Sequence, residues 1–280
     1  MVAGVTPASP HRSGPAGEAT SLFANPQRLL EVDSTNRHLA DLARQGAPEG
    51  TAVLADTQTA GRGRLGRRWV DVRGGSVLCS LLFRPPSHLA PERWHIVTWC
   101  VALAARDAVG ESCGVALSFK WPNDLMAGDA KLGGILAEVI PPDGLVVGIG
   151  INCNWPPGEE APPAATSLDR LVARPVDRSR IEESLLGHVA ARYEPLVRGD
   201  GTSRAEAQRT LVRELRAELA TIGRLVAVDT PDGSFTGRAL DVGDDGLLLV
   251  DVGACIRPVA VGDVRHLRHL PQASAGTAPG

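Results

Sequence analysis

The segment Ala60–Trp69 reads AGRGRLGRRW and sets four guanidinium groups, on Arg62, Arg64, Arg67 and Arg68, among three glycines. Arginine offers paired donors to phosphate and carboxylate oxygens. Glycine lets backbone N–H groups come close to the same anion. Gly61, Gly63 and Gly66 also satisfy G-x-G-x-x-G, the dinucleotide-binding fingerprint. That fingerprint needs a strand directly before it, a helix opening from it and an acidic residue about 20 positions on. Here TQTA separates the preceding apolar run from Gly61, and WVDVRGGSVLCSLLF reads as turn and strand. Nothing acidic lies between Val72 and Ala90. The dinucleotide reading fails on its flanks. Two readings remain, a cationic glycine loop for another anion and a solvated basic loop that binds nothing; Trp69 at its end, able to stack on a base or to serve as core, leaves the choice to the rest of the chain.

A second signal is the use of lysine. Of the 29 basic residues, 27 are Arg and two are Lys, and both lysines (Lys120 and Lys131) fall within FKWPNDLMAGDAKLGG. Ammonium is a compact point charge and guanidinium a broad planar fork, so a chain that otherwise writes Arg marks these two sites as needing the small cation. Asn123, Asp124 and Asn152 add acceptors suited to a nucleotide triphosphate. There is no G-x-x-x-x-G-K-[ST], which excludes a P-loop, and no Ser-His-Asp or Cys-His set stands out. A site rich in cations and poor in bases suits a substrate that brings its own nucleophile. A carboxylate attacking the α-phosphate of ATP is such a case, in which the protein positions the reactants and stabilises charge. Asp124 would help hold a magnesium ion or orient the lysines; spacing leaves both open.

These groups need a scaffold. A helix is expected from Ser34 or Thr35 to Gly46, with Leu39, Leu42 and Ala43 as its apolar face. TAVLAD and SVLCSLLF read as strands around the Arg/Gly loop. A helix should start at Pro91 and end before Gly110. VALSFKW should be a strand stopping at Pro122, and KLGGILAEVI and GLVVGIGINCN two more, joined by PPDG. A Pro-rich loop, WPPGEEAPPAATSLDRL, precedes helices over about Arg178–Leu196 and Ser203–Ala220. LVAVDT, SFTGRALDV, LLLVDV and IRPVAV then alternate with turn residues, the spacing of a small all-β barrel of about 50 residues. The Arg/Gly loop, WPND, KLGG and GIGIN share the rim of one sheet, where convergent polar groups define a site. Gly133, Gly134, Gly148 and Gly150 inside strands mark either close approach of a ligand or another backbone, or a bulge or tight packing contact; the glycines alone leave both open.

The bulk composition narrows the function. A 280-residue chain holds about one or two domains. A net charge of −3 and a pI near 6.2 supply no global basic field for nucleic acid. Five cysteines, odd in number and without C-x-x-C, fit a reduced, cytoplasmic protein better than a disulfide framework or a zinc site. The histidines make no metal spacing, and His266 and His269 read as surface groups at a barrel edge. No apolar run approaches a membrane span. Residues 1–20 and 272–280 read as disordered tails.

Five motifs in order, STN (Ser34–Asn36), QTAGRGRLGRRW (Gln58–Trp69), KWPNDL (Lys120–Leu125), KLGGIL (Lys131–Leu136) and GIGIN (Gly148–Asn152), resemble those of the biotin–protein ligases. With the terminal barrel the resemblance spans about residues 22–270. It implies an α+β fold: a mixed-sheet catalytic domain related to class II aminoacyl-tRNA synthetases, over 21–220, and an SH3-like domain over 221–271. It implies that biotin and MgATP give biotinyl-5′-AMP and pyrophosphate, and that a lysine of a carboxylase biotin carboxyl carrier domain then takes the biotinyl group. Carried over to this chain, Ser34, Thr35 and Gln58 would hydrogen-bond the biotin ring system, and Gly61, Gly134 and Gly148 would form its close walls. The Arg62–Arg67 loop would close over the intermediate as a disorder-prone lid. Arg64 would reach carboxylate and phosphate, Arg67 the phosphates, and Trp69 the adenine. Lys120 would contact phosphate. Lys131, between the biotin carboxylate and the α-phosphate, is the first choice for a catalytic residue, with Arg64 and Lys120 beside it. Asn123, Asp124 and Asn152 would line the nucleotide and metal side.

Some members of that family carry an N-terminal helix-turn-helix. The stretch before Ser34 is too short for one, so a monofunctional ligase without DNA binding is expected, with dimerisation not implied and a monomer favoured. Two rivals remain. A lipoate–protein ligase shares the adenylation logic, and a nucleic-acid-binding module would use the Arg/Gly loop alone, against the acidic pI.

Overall fold

The computed structural model describes residues 21–156, 164–260 and 262–267. The tails expected at 1–20 and 272–280, His269 and part of the Pro-rich loop lie outside the described residues. In chain order the elements are β1 (Gln27–Leu29), α1 (Thr35–Arg44), β2 (Ala52–Ala55), β3 (Ser76–Phe83), α2 (His95–Cys113), β4 (Ser118–Lys120), β5 (Asp124–Ala127), β6 (Ala130–Ile140) and β7 (Gly144–Asn152), then α3 (Leu168–Val172), α4 (Arg178–Arg198) and α5 (Gly201–Glu218), and finally β8 (Leu225–Thr230), β9 (Gly233–Val242), β10 (Leu248–Asp251), β11 (Ile256–Val259) and β12 (Asp263–Leu267).

The first seven strands form one mixed sheet in the order β1-β2-β3-β7-β6-β5-β4, with β1 and β2 parallel and the other pairs antiparallel. Strand alternation gives this sheet two faces. Val77, Cys79, Leu81 and Phe83 of β3 and Leu145, Val147, Ile149 and Ile151 of β7 join α2, α4 and α5 in the main core. The other face carries Leu82 and Val146, on which Leu39, Ala40 and Ala43 of α1 pack. Burying each such leucine contributes about 2 kcal/mol. Further along that second face the apolar residues give way to Ser80, Gly148 and Gly150. That polar end is the floor of the cleft described below.

Several expectations shift. The second long helix does not stop at Gly110; it runs through that exposed glycine to Cys113 and ends where Gly114 takes a left-handed φ of 68°. A short 3-10 turn at Pro91–Arg93 precedes it. VALSFKW yields only a three-residue strand, because the chain turns at Trp121–Asn123 and returns as β5, a strand not expected from the sequence. The short helix α3 begins inside the stretch expected to be loop and ends one residue beyond it. The helices expected at Arg178–Leu196 and Ser203–Ala220 occupy Arg178–Arg198 and Gly201–Glu218.

The last five strands form a separate antiparallel sheet, β11-β10-β9-β8-β12, consistent with an SH3-like domain. It is bonded to the preceding part of the chain: Trp121 Nε1, in the turn between β4 and β5, donates to Gly246 O at 3.3 Å, and Arg216 Nη2, on α5, donates to Val242 O at 2.7 Å. Among the described residues no helix is long and apolar enough to cross a membrane.

Candidate active site

The floor of the cleft is built on one row across three strands. Gly148 of β7 pairs with Ser80 of β3 on one side and Leu136 of β6 on the other. Asn36, from the first turn of α1, lies directly on that glycine: a Cβ at position 148 would stand 1.9 Å from Asn36 Oδ1. The amide nitrogen of Asn36 donates to Leu136 O at 3.1 Å and to Glu138 Oε2 at 2.9 Å, and its oxygen accepts from Ser80 Oγ at 2.6 Å. Ser80 Oγ also lies 2.8 Å from Thr35 Oγ1. Gln58 Oε1 accepts from Thr35 N at 2.9 Å. Ser34 caps α1, accepting from Arg37 N at 3.5 Å. Ser34, Thr35, Asn36 and Ser80 are all buried. Asp71 holds the backbone of Gln58 by accepting from its N–H at 3.3 Å, and burial raises the Asp71 carboxyl above its ordinary value.

Two residues along β7, Gly150 opens the next gap. It pairs with Leu78 and Gly134, and the Trp69 indole fills the space over it, 2.6 Å from where a Cβ would stand. The indole nitrogen of Trp69 is buried and has no hydrogen-bond partner among the described residues. Buried donors are nearly always satisfied, so this one is available to a bound acceptor.

Trp69 ends a hairpin made by the Arg/Gly loop. Trp69 N donates to Gly61 O at 3.0 Å and Gly63 N to Arg67 O at 2.7 Å. Leu65 and Gly66 turn the tip with φ of 55° and 71°. For leucine that left-handed conformation costs about 1 kcal/mol. Three arginines then tie the hairpin down at three places. Arg62 Nη1 bridges Glu138, 2.9 Å from Oε1 and 3.1 Å from Oε2. Arg64 Nη1 donates to Asn123 Oδ1 at 3.4 Å, and burial lowers its pKa below the usual guanidinium value. Arg67 pairs with Asp263 on β12, whose carboxyl is held below its ordinary value by that hydrogen bond. Arg68 turns back to Thr59 O at 2.9 Å.

On the far wall Lys131 Nζ pairs with Asp124. Lys131 is carried by β6 and Asp124 by β5, across a register shift between Leu125 and Met126. The backbone of Lys131 is bonded on its outer side to Ala164 O at 2.7 Å and, through its own carbonyl, to Thr166 N at 2.9 Å.

Ser34, Thr35, Gln58, Arg62, Arg64, Arg67, Trp69, Asn123, Asp124, Lys131, Gly134 and Gly148 all line this one cleft. Three residues expected there do not. Gly61 lies behind Trp69, where a Cβ would stand 2.8 Å from Trp69 O. Asn152 is buried and donates its amide to Thr166 O at 3.0 Å. Lys120 opens onto a second groove with Arg224 and His266, and its charge reaches the cleft by helping to lower the pKa of Asp263. His266, read as a surface group, is half-buried and within 3.1 Å of Thr221 Oγ1. Sequence reasoning assigned no role to Asn36, Ser80, Asp71, Glu138 or Asp263. Asn36 stood in a quoted motif; the others carried no local signal.

The arrangement offers a polar floor, a cationic wall and an aromatic shelf under an arginine-bearing flap. It offers no strong nucleophile of its own. Burial pushes the Cys100 and Cys153 thiols up to about 12, which silences them as nucleophiles. It can therefore hold and neutralise a reaction between two anionic substrates.

Comparison with known proteins agrees with this geometry. The Biotin/lipoate A/B protein ligase family matches residues 30–155, and the Biotin protein ligase C terminal domain matches residues 221–267. The biotin–[acetyl-CoA-carboxylase] ligase of Mycobacterium tuberculosis is 37% identical over 245 residues, which is 86% of this chain and 88% of that protein. The bifunctional ligase/repressor BirA of Bacillus subtilis is 33% identical over 243 residues, 83% of this chain and 71% of that protein. A solved biotin protein ligase from Aquifex aeolicus, in complex with biotin and ATP, matches with a TM-score of 0.73 at 27% identity, covering 88% of this chain and 100% of that one.

Proposed function

The chain belongs to the biotin protein ligase family, and on that premise we propose that its cleft joins biotin to ATP as biotinyl-5′-AMP and then passes the biotinyl group to a lysine of a carboxylase carrier domain. In the first step a carboxylate oxygen of biotin attacks the α-phosphorus, the bond to the bridging oxygen breaks, and pyrophosphate leaves. In the second the lysine amine attacks the acyl carbon, AMP leaves, and the amine proton passes to water. The observation that carries the reading is the convergence on one cleft of a buried polar floor, the Lys131 ammonium and an arginine flap.

The floor residues Ser34, Thr35 and Gln58 hydrogen-bond the ureido ring of biotin, with Gly134 at its wall, while Gly148 gives Asn36 room to lie in the floor beneath it. Lys131 neutralises the biotin carboxylate and the α-phosphate where the new bond forms, and Arg64 binds the same two groups from the flap. Removing one such preorganised donor typically costs about a hundredfold or more in rate. Arg67 and Asn123 face the phosphates, and Trp69 presents a ring to adenine and its orphaned N–H to an acceptor. Lys120 acts from outside the cleft, adding positive potential behind Asp263.

Magnesium belongs to the ATP substrate. Among the described residues no three His, Cys, Asp or Glu side chains gather as a metal cage. That fits a cation bound mainly by phosphates and water with one or two protein carboxylates, of which Asp124 is our choice. When bound it neutralises phosphate charge. The free thiols suit a cytoplasmic setting.

The test is exchange of labelled pyrophosphate into ATP with magnesium and no carrier. Exchange supported by biotin and not by lipoate is the expected result. Exchange with lipoate alone would transfer the assignment to the lipoate ligases, and none with either acid would refute adenylation.

A further inference from the structure

The floor of the cleft ends in a carboxylate that no part of the proposed chemistry uses. Glu138, on β6, accepts from Asn36 Nδ2 and meets Arg62 of the flap through both its oxygens. From it a chain of short contacts runs inward through Asn36 and Ser80 to Thr35, which lines the cleft.

Counting protons gives this chain a direction. A carboxylate and a backbone carbonyl only accept, so both N–H bonds of Asn36 are committed, one to Glu138 and one to Leu136 O. The Asn36 oxygen must then accept, and Ser80 supplies its single proton across 2.6 Å. Ser80 has none left for Thr35, so the 2.8 Å contact between the two hydroxyls is filled by the proton of Thr35. Thr35 Oγ1 is thereby left with lone pairs and no proton for the cleft. The other acceptor within reach of that proton, Gln58 Oε1, is farther off at 3.2 Å and already takes Thr35 N–H.

We infer that Glu138 is a positioning residue which, through Asn36 and Ser80, sets the hydrogen-bond polarity of the floor, making Thr35 Oγ1 an obligate acceptor for an N–H of the bound ring. Low-dielectric chains of this kind reinforce one another, and a reversed member leaves a buried group unpaired. The glycine at 148 is part of the device, because Asn36 can reach both Ser80 and Leu136 only by lying flat on β7. Arg62 binds the same carboxylate from the flap, so floor and flap share one anion.

The inference rests on the biotin reading and is tested separately from it. Pyrophosphate exchange is measured with biotin and with its cyclic carbamate analogues, in which one ureido N–H is replaced by an ether oxygen, as both regioisomers. Biotin must support exchange in the parent; failure there refutes the functional reading. The parent should reject one carbamate by about a hundredfold, since an acceptor would face an acceptor. In Ser80→Ala the Thr35 proton keeps only the longer Gln58 contact and can turn to the ligand. In Glu138→Leu the Asn36 amide is released from its carboxylate. Both should shrink the discrimination at least about fivefold, with the KM for ATP changed less than about twofold. Glu138→Gln, whose amide oxygen still accepts from Asn36, should keep it. Melting curves establish which variants fold, and either of the first two suffices. Unchanged discrimination in folded Ser80→Ala or Glu138→Leu overturns the inference, as does a Glu138→Gln that behaves like Glu138→Leu.

Discussion

The Trp69 indole occupies the space a side chain at Gly150 would need, with Cζ2 2.6 Å and Cε2 2.7 Å from the missing Cβ. One repeat earlier on the same strand face, Asn36 stands in the same relation to Gly148. Two adjacent steps of one strand thus seat two different parts of the site, an aromatic shelf and a polar floor.

That separation can be read kinetically. Gly150→Ala should push the indole off the sheet and raise the KM for ATP about tenfold or more, while Gly148→Ala should do so for biotin, each displacement costing about 1–3 kcal/mol. Initial rates of pyrophosphate exchange against each substrate check this. Equal effects of both variants on both substrates would refute the division.

Lys131→Arg keeps the charge beside Asp124 but replaces a point cation with a planar fork. We expect a loss of at least about a hundredfold in biotin-dependent exchange, with the melting temperature within a few degrees of the parent. Lys120→Gln, outside the cleft lining, should lose far less. A fully active Lys131→Arg would make the placing of both lysines coincidental.

The Arg67–Asp263 pair links the flap to the C-terminal sheet. Both side chains are substantially exposed, so the pair should add no more than about 1 kcal/mol to stability. Asp263→Asn should leave the melting temperature almost unchanged yet raise the rate of biotinyl-adenylate release about threefold to fivefold. An unchanged release rate, followed by trapping the free adenylate, would show that the contact does not restrain the flap.

His266 predicts a pH dependence of stability. Burial lowers its pKa, with Lys120 and Arg224 acting the same way and Asp129 opposing them. The unfolded chain therefore takes up a proton before the folded one. The stabilising effect is complete above the unfolded value, about 6.5, and is lost as pH falls through the lower folded value. Denaturant midpoints should fall as pH drops below about 6.5. His266→Gln should flatten that slope without abolishing it, because burial also lowers the pKa of His95. A slope identical to the parent's would remove His266 from the account.

Much of this protein was legible in its sequence because the signals are local. The helix beginning at Thr35, the strands over KLGGILAEVI and GLVVGIGIN, and the cationic loop at Ala60–Trp69 are each written in contiguous residue types whose period or turn chemistry needs no partner. The five motifs, in order, carried the chemistry of adenylation with them. Other features were decided only when the sheet formed. Lys120 opens onto a different groove from Lys131, because the chain turns at Trp121–Asn123 and the register shifts between β5 and β6. His266 became half-buried once β12 settled beside Thr221. Asn36, Ser80 and Glu138 meet across 44 and 102 residues of chain. Their spacing carries no period to read, since strand register and α1 packing bring them together, and the hydrogen-bond direction they impose exists only once Asn36 and Ser80 are buried against Glu138.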